Sequence, residues 1–270
     1  RHDDVLLLQE PGRVAAIDLT TGKLRWEAEP PTGDTLGGPW PRDGRVLIAV
    51  ATRGGAVLLT CLTAADGRAV WETAVPGSAR TRIEVTDEEA VLVDLAGPAC
   101  RAGSSRLTVI ELADGTERLT RSGKAFLAAG GPPSKLALPV DAWGLAGGCA
   151  VVLSGGVRLT AWDLATGEAR WEARAPAKVS AFAASEEGIA LALAGGRVIV
   201  HEVSLGLHVF DRALGVEPTL AAWFGEVLAI AGDWQGQLAG ADRRSRIVRL
   251  RRDADGGLSE APGVDLGEAL

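Results

Sequence analysis

Short apolar runs, separated by turns rich in Gly, Asp and Thr, recur along the whole chain. Residues 90–93 and 190–194 are apolar at every position, whereas residues 168–172 alternate between polar and apolar. No stretch of about eleven residues keeps the spacing of an amphipathic helix. Alternating runs predict half-buried strands, and fully apolar runs predict strands buried on both faces. The pattern therefore predicts an all-β protein.

One turn-and-strand unit repeats within this pattern. Its clearest copy, residues 163–171, reads Asp-Leu-Ala-Thr-Gly-Glu-Ala-Arg-Trp. Asp and Thr side chains bond the backbone of such a turn, and Gly supplies a positive φ. Copies at residues 18–26 and 62–71 also place a Trp four positions after the Gly. The turn glycines of six units are spaced by roughly 40–50 residues, the length of one four-stranded propeller blade; they are Gly22, Gly67, Gly115, Gly167, Gly206 and Gly256.

A second polar turn, in register with the first, precedes the apolar runs at residues 42–44, 86–89, 185–188 and 224–226. Short runs at residues 81–85 and 178–183 supply a fourth strand. We predict a single β-propeller domain over residues 1–270, built from six four-stranded antiparallel blades, or seven or eight if the chain is a fragment. The first repeat begins without its innermost strand, and we expect residues 263–270 to supply it.

The segments at residues 18–27 and 163–172 resemble the PQQ-like repeat of quinoprotein dehydrogenases and BamB-like propellers. The resemblance covers most of the chain and is sharp in three units. It implies that the Trp of one blade docks against a neighbouring blade, with the turn glycine as its partner; the residues in these roles are Trp26, Trp71 and Trp171, with Gly22, Gly67 and Gly167. Leu119 and Phe210 replace the Trp in units three and five. Trp162 and Asp163 also resemble the end of a WD repeat, but the Gly-to-Trp spacing fits the PQQ-like form better.

The charge balance is acidic, with 35 Asp and Glu against 28 Lys and Arg and a net charge of −7. An acidic surface repels phosphate, so we expect no nucleic-acid binding. Within residues 243–252, arginines alternate with apolar residues. This pattern favours the solvent-exposed face of a strand over an anion-binding site. No apolar run is long enough to span a bilayer, and no signal peptide is recognisable.

The three cysteines show no disulfide or metal spacing. Cys61 and Cys149 lie in apolar runs, where we expect them to be buried. Cys100 lies in a polar loop and is expected to be exposed; a Cys100–Cys149 disulfide is the alternative. The odd count favours a reducing compartment, and thus a cytoplasmic over a periplasmic location.

The sequence offers little chemistry for catalysis. Quinoprotein dehydrogenases hold their quinone and calcium with Glu, Asn and Asp, whereas this chain contains no Asn and no adjacent cysteines. Hydrolase and zinc-protease motifs are absent. His201 and His208 flank a turn, but two histidines without a third ligand are more often strand residues than a metal pair. We predict no enzyme activity, no cofactor and no metal.

Five tryptophans lie outside the docking position, and of these we expect Trp162 to be in the core. Each of the others either fills a gap between blades or belongs to a partner surface, since exposed Trp beside Arg is typical of an interface hot spot. The predicted binding residues are Trp40, Arg42, Trp143, Trp223, Phe224 and Trp234. The long loops at residues 97–105 and 127–139 are further candidates.

We therefore expect a non-catalytic propeller that binds a protein or peptide, as a scaffold or as an assembly or accessory factor. Two alternatives stay open. One is a regulatory propeller of a larger signalling protein that senses a small ligand in its channel. The other is a quinone-dependent oxidoreductase.

Overall fold

The structure is a computed structural model that describes residues 4–10, 12–94, 106–122, 140–214, 216–234, 244–253 and 258–265. All its regular elements are β-strands, which confirms the all-β prediction. The chain divides into two compact units, residues 1–137 and 138–270. Within the described ranges, no helix has the length and apolarity needed to cross a membrane.

The first unit contains three antiparallel sheets, which we number in chain order. Sheet 1 consists of β1 (Val5–Glu10), β2 (Arg13–Asp18) and β3 (Leu24–Ala28). Sheet 2 consists of β4 (Asp34–Arg42), β5 (Arg45–Ala51), β6 (Ala56–Thr63) and β7 (Ala69–Pro76). Sheet 3 consists of β8 (Thr81–Val85), β9 (Glu89–Asp94), β10 (Arg106–Glu111) and β11 (Glu117–Ser122).

The second unit contains three four-stranded sheets. Sheet 4 consists of β12 (Val140–Ala146), β13 (Cys149–Ser154), β14 (Arg158–Asp163) and β15 (Ala169–Arg174). Sheet 5 consists of β16 (Val179–Ser185), β17 (Gly188–Leu193), β18 (Arg197–His201) and β19 (His208–Ala213). Sheet 6 consists of β20 (Val216–Phe224), β21 (Val227–Trp234), β22 (Arg244–Arg252) and β23 (Leu258–Asp265). The prediction of a single domain over residues 1–270 stays a prediction.

Neighbouring strands in each sheet follow chain order and run antiparallel. In each four-stranded sheet, the turn between the first two strands and the turn between the last two therefore lie at the same end, which we call the upper end. Backbone bonds join the two turns: the amide of Ala64 donates to Gly44 in sheet 2, and that of Leu112 to Glu88 in sheet 3, both at 2.8 Å. These bonds hold the two upper turns of the same sheet close to each other.

The two middle strands of the sheets carry the core. β13 and β17 are buried along their whole length, as fully apolar runs predict for strands covered on both faces. The buried positions of Cys61, Cys149 and Trp162 are confirmed, since each is at most 5% exposed. Cys149 is a free thiol; Cys100 lies outside the described residues.

The prediction for the chain end is wrong in the part that is described. Val264 pairs with Ile247 and Asp265 with Arg246, so that β23 is the fourth strand of sheet 6 and not the innermost strand of sheet 1. A hairpin closes a short loop, whereas pairing with sheet 1 closes nearly the whole chain, and closure entropy grows with that length. Sheet 1 accordingly has three strands in the described region.

Candidate partner-binding groove

A tryptophan of sheet 1 fastens that sheet to sheet 2. The indole Nε1 of Trp26 donates to the carbonyl oxygen of Ala64 at 2.8 Å. The six-membered ring lies over Gly67, where an added Cβ would be 2.5 Å from Cε3. Because the φ of Gly67 is +70°, glycine is required here both for the turn and for the close approach of the ring.

The same contact recurs between other neighbouring sheets. Trp71 of sheet 2 donates to Leu112 at 3.0 Å and covers Gly115 of sheet 3. Trp171 of sheet 4 donates to Val203 at 2.8 Å and covers Gly206 of sheet 5. The glycine that receives each Trp thus belongs to the following sheet.

One of the expected docking glycines, Gly22, differs from this pattern. Gly22 has a φ of +67° but faces open space, with nothing within 4 Å of an added Cβ. The docking role expected of Gly22 is therefore wrong, because no Trp of the described residues packs over its turn. Gly167 is buried and has a φ of +69°. Of the residues that replace Trp, Leu119 is buried, and Phe210 packs against the core that sheets 5 and 6 share.

A groove of about 400 Å³ opens between sheets 2 and 3 at their upper ends. It combines two of the predicted binding residues with residues from both turns of sheet 3. Its lining comprises Trp40, Arg42, Asp43, Arg45, Leu47, Cys61, Asp87, Glu88, Glu89, Glu111, Leu112 and Ala113.

Trp40 forms part of the apolar wall of this groove. Its ring lies over two glycines of β4, so that an added Cβ on Gly38 would be 2.8 Å from Cε3 and one on Gly37 would be 3.1 Å from Cζ2. Both glycines have positive φ. The ring is partly buried and packs against a core cluster that includes Leu47 and Cys61. Trp40 therefore both fills the space between the sheets and lines the groove.

Two arginines join sheet 2 to sheet 3 beside Trp40. Arg42 donates to the carbonyl oxygen of Val85 at 3.0 Å, and its Nε lies 3.6 Å from the carboxylate of Asp87. Arg45 donates to the carbonyl oxygens of Leu112 and Ala113. Both guanidinium groups are thus used to hold sheet 3.

Carboxylates outnumber cations in the lining, with five against the two arginines. Arg118 lies next to the lining and pairs with Glu89 and, at 4.0 Å, with Glu111. Glu88 is exposed, and the side chain of Asp87 is 96% exposed. The rim of the groove therefore carries negative charge.

The other predicted binding residues belong to the second unit. Trp143 is partly buried in β12, opposite Val152. Trp223 packs against the core of sheets 5 and 6, and Phe224 beside it is 68% exposed. Trp234 ends β21, and its side chain lies outside the described residues, as do the two long loops. Among the predicted binding residues whose side chains are described, only Trp40 and Arg42 thus line the same site.

Sequence reasoning missed Arg45 and the acidic residues of the groove. The signal for the acids is the polar turn that the sequence predicts at residues 86–89, before an apolar run. What the sequence did not show is that this turn lies opposite Trp40 of the preceding sheet.

The two histidines pack against each other, with ring centroids 4.3 Å apart. His201 is fully buried, and its Nδ1 lies 2.7 Å from the carbonyl oxygen of Gly206. Its burial lowers its pKa. In the part of the chain that the structure describes, no three His, Cys, Asp or Glu side chains are grouped to hold a metal ion.

Comparison with known proteins identifies the repeat. The family model described as outer membrane protein assembly factor BamB matches residues 10–132 and 121–217. No curated protein matches the sequence significantly.

Solved structures of several propellers are similar to this chain. BamB from Moraxella catarrhalis is 15% identical with a TM-score of 0.54, over 97% of this chain and 73% of that one. Saccharomyces cerevisiae Sqt1 is 12% identical with a TM-score of 0.59, over 97% and 81%. The β-propeller domain of Cps50 (Swd1) from Myceliophteria thermophila is 14% identical with a TM-score of 0.51, over 85% and 77%. Identities this low show the fold alone, and they confirm the predicted propeller class. The chain is therefore a PQQ-like repeat β-propeller that belongs to the BamB family.

Proposed function

We propose that this chain is a non-catalytic β-propeller that binds a protein or peptide partner, as a scaffold or assembly factor, through the groove between sheets 2 and 3. The observation that carries the proposal is the meeting of Trp40 and Arg42 in a concave site of about 400 Å³. Tryptophan and arginine are the residues most enriched among interface hot spots.

The construction of the groove supports this role. Its walls are held by Trp71 on Leu112 and by Arg45 on the same carbonyl oxygen, so both sheets present a preformed surface. Because the side chains and turns of a preformed site are already ordered, binding a partner costs little conformational entropy. The matching family model is that of an assembly factor by name, which agrees with a scaffolding role.

Photo-cross-linking tests the proposal. A photoreactive phenylalanine analogue replaces Ala113, which is exposed and lines the groove. The matched control replaces Ala165, which is exposed at the same turn position of sheet 4. In cells that make this protein naturally, we expect Ala113 to capture one defined protein that Ala165 does not capture. Identical products from both positions, or none from Ala113, contradict the proposal.

The non-catalytic part has a separate test. The purified chain is mixed with the quinone cofactor and calcium, and reduction of a dye by alcohol or sugar substrates is followed. We expect no turnover above the protein-free control. Measurable turnover overturns this part.

A further inference from the structure

We propose that the groove takes an arginine or lysine side chain of an extended partner segment, and that an apolar pocket beside it takes a nearby aliphatic side chain. This inference rests on the proposed function and specifies the chemistry of the partner.

The charge of the groove selects a cation. The carboxylates of Asp43 and Glu88 are exposed at the rim, and that of Asp87 is almost fully exposed. The guanidinium groups of Arg42 and Arg45 already donate to carbonyl oxygens of sheet 3. An entering cation therefore meets more negative than positive charge, whereas an entering carboxylate is repelled.

The aromatic wall favours the same ligand. A guanidinium or ammonium group close to an indole ring gains a cation–π attraction, which is strongest for Trp. The aliphatic stem of an arginine or lysine also packs on apolar surface while its charge stays near water. In the groove, the partly exposed Trp40 supplies that apolar surface above the buried Leu47 and Leu112, and the turn acids of sheet 3 supply the charge.

A second pocket, of about 230 Å³, opens between sheets 1 and 2. Most of its lining is apolar or small: Val5, Leu7, Gly44, Val46, Ala64 and Ala65, with Arg25 as its one charged residue. Arg25 is occupied by Asp18, which accepts from its Nε at 3.0 Å and its Nη2 at 2.8 Å. The pocket is therefore suited to an uncharged aliphatic side chain.

The two pockets lie on either side of one turn. Asp43 lines the groove, and the next residue, Gly44, lines the apolar pocket. Both open at the upper end of sheet 2, so a segment that crosses this turn reaches both. An extended chain places successive side chains about 3.3 Å apart along its axis, so a basic and an aliphatic residue close in sequence can occupy the two sites together.

Fluorescence anisotropy with synthetic peptides tests this inference. The probes are labelled ten-residue Gly/Ser peptides that carry one Arg followed by a Leu one, two or three positions later. Matched peptides replace Arg with Lys, Gln or Glu, or Leu with Ala. We expect the best Arg–Leu probe to bind about tenfold more tightly than its Gln version, a difference of about 1.4 kcal/mol, because the Gln version lacks the positive charge that the carboxylates of the groove attract. We expect no binding of the Glu version and weaker binding of the Arg probe as salt rises.

Variants of the protein assign the two sites. Glu88→Lys is expected to weaken the Arg probe by about tenfold, whereas the matched reversal Glu168→Lys, in an exposed turn of sheet 4, leaves it unchanged. Ala65→Phe fills the apolar pocket and is expected to abolish the preference for Leu over Ala, whereas Ala165→Phe keeps it.

Equal binding of the Arg and Gln probes, or unchanged binding to Glu88→Lys, overturns the inference. If Ala113 still captures a defined partner in that case, the proposed function stands and only the chemistry assigned to the groove is wrong. If Ala113 captures nothing either, the proposed function fails with it.

Discussion

At the scale of single residues, the turn glycines separate two physical effects. Gly22 and Gly67 have nearly the same φ, +67° and +70°, but only Gly67 lies under a tryptophan ring. Gly22→Ala is expected to cost about 1–2 kcal/mol, the price of a left-handed alanine. Gly67→Ala adds a clash with Trp26, which raises the expected cost by about 1–3 kcal/mol. Urea unfolding of the two variants measures the difference, and equal costs contradict the docking contact.

His201 makes stability depend on pH. Burial lowers its pKa in the folded state, and in the unfolded chain its pKa is about 6.5. The unfolded state therefore binds a proton at His201 more readily than the folded state does. The free energy of unfolding is greatest above about pH 6.5 and falls as the pH drops through that value. The expected slope is at most about 1.4 kcal/mol per pH unit.

Unfolding free energies of wild type and His201→Phe between pH 7.5 and 5 check this expectation. The variant is expected to be less stable at pH 7.5, because Gly206 loses its donor, and to lose less stability as the pH falls. Parallel curves for the two proteins contradict the role of His201.

At the scale of elements, the turns carry their own electrostatics. Asp18 accepts bonds from the amides of Thr20 and Thr21 and from Arg25. The backbone bond from Thr21 and then the bond from Arg25 lower the pKa of Asp18 to about 2. A lowered carboxyl pKa adds stability at neutral pH that is lost as the pH falls from about 4 toward 2.

Nuclear magnetic resonance of the carboxyl carbon of Asp18 measures this pKa directly. We expect Arg25→Gln to raise the pKa but to leave it below the ordinary value, since the amide bonds remain. Arg13→Gln is the matched control, because Arg13 pairs with Glu27 and Glu10 instead. A pKa that does not change in Arg25→Gln excludes the contribution of this ion pair.

Strands with plain alternation were predictable, whereas irregular ones were not. The predicted strand at residues 81–85 coincides with β8, and the one at 178–183 overlaps β16. β4 and β20 contain Pro and shift register, at Gly37 in β4 and between Pro218 and Leu220 in β20. Such bulges break the period of two on which sequence reasoning depends.

At the scale of the whole molecule, repetition explains the fold and variation explains the candidate site. The docking turns recur because each sheet must cover its neighbour, and that repetition made the propeller class and the PQQ-like family predictable. The groove arises where copies differ: before its first turn, sheet 2 carries Trp40 and Arg42 where sheet 4 carries Gly144 and Ala146. Contacts between neighbouring sheets depend on packing, which a single sequence does not show.

The partner identified by cross-linking allows the most direct test of the groove. Isothermal titration calorimetry gives its dissociation constant for wild type, Ala113→Phe and Ala165→Phe, two variants that add the same ring at the same turn position. A ring that blocks a hot-spot site is expected to cost about 2 kcal/mol or more, roughly a thirtyfold loss of affinity. The account predicts that loss for Ala113→Phe and wild-type affinity for Ala165→Phe, with both variants folded by circular dichroism. Wild-type affinity in Ala113→Phe would contradict it.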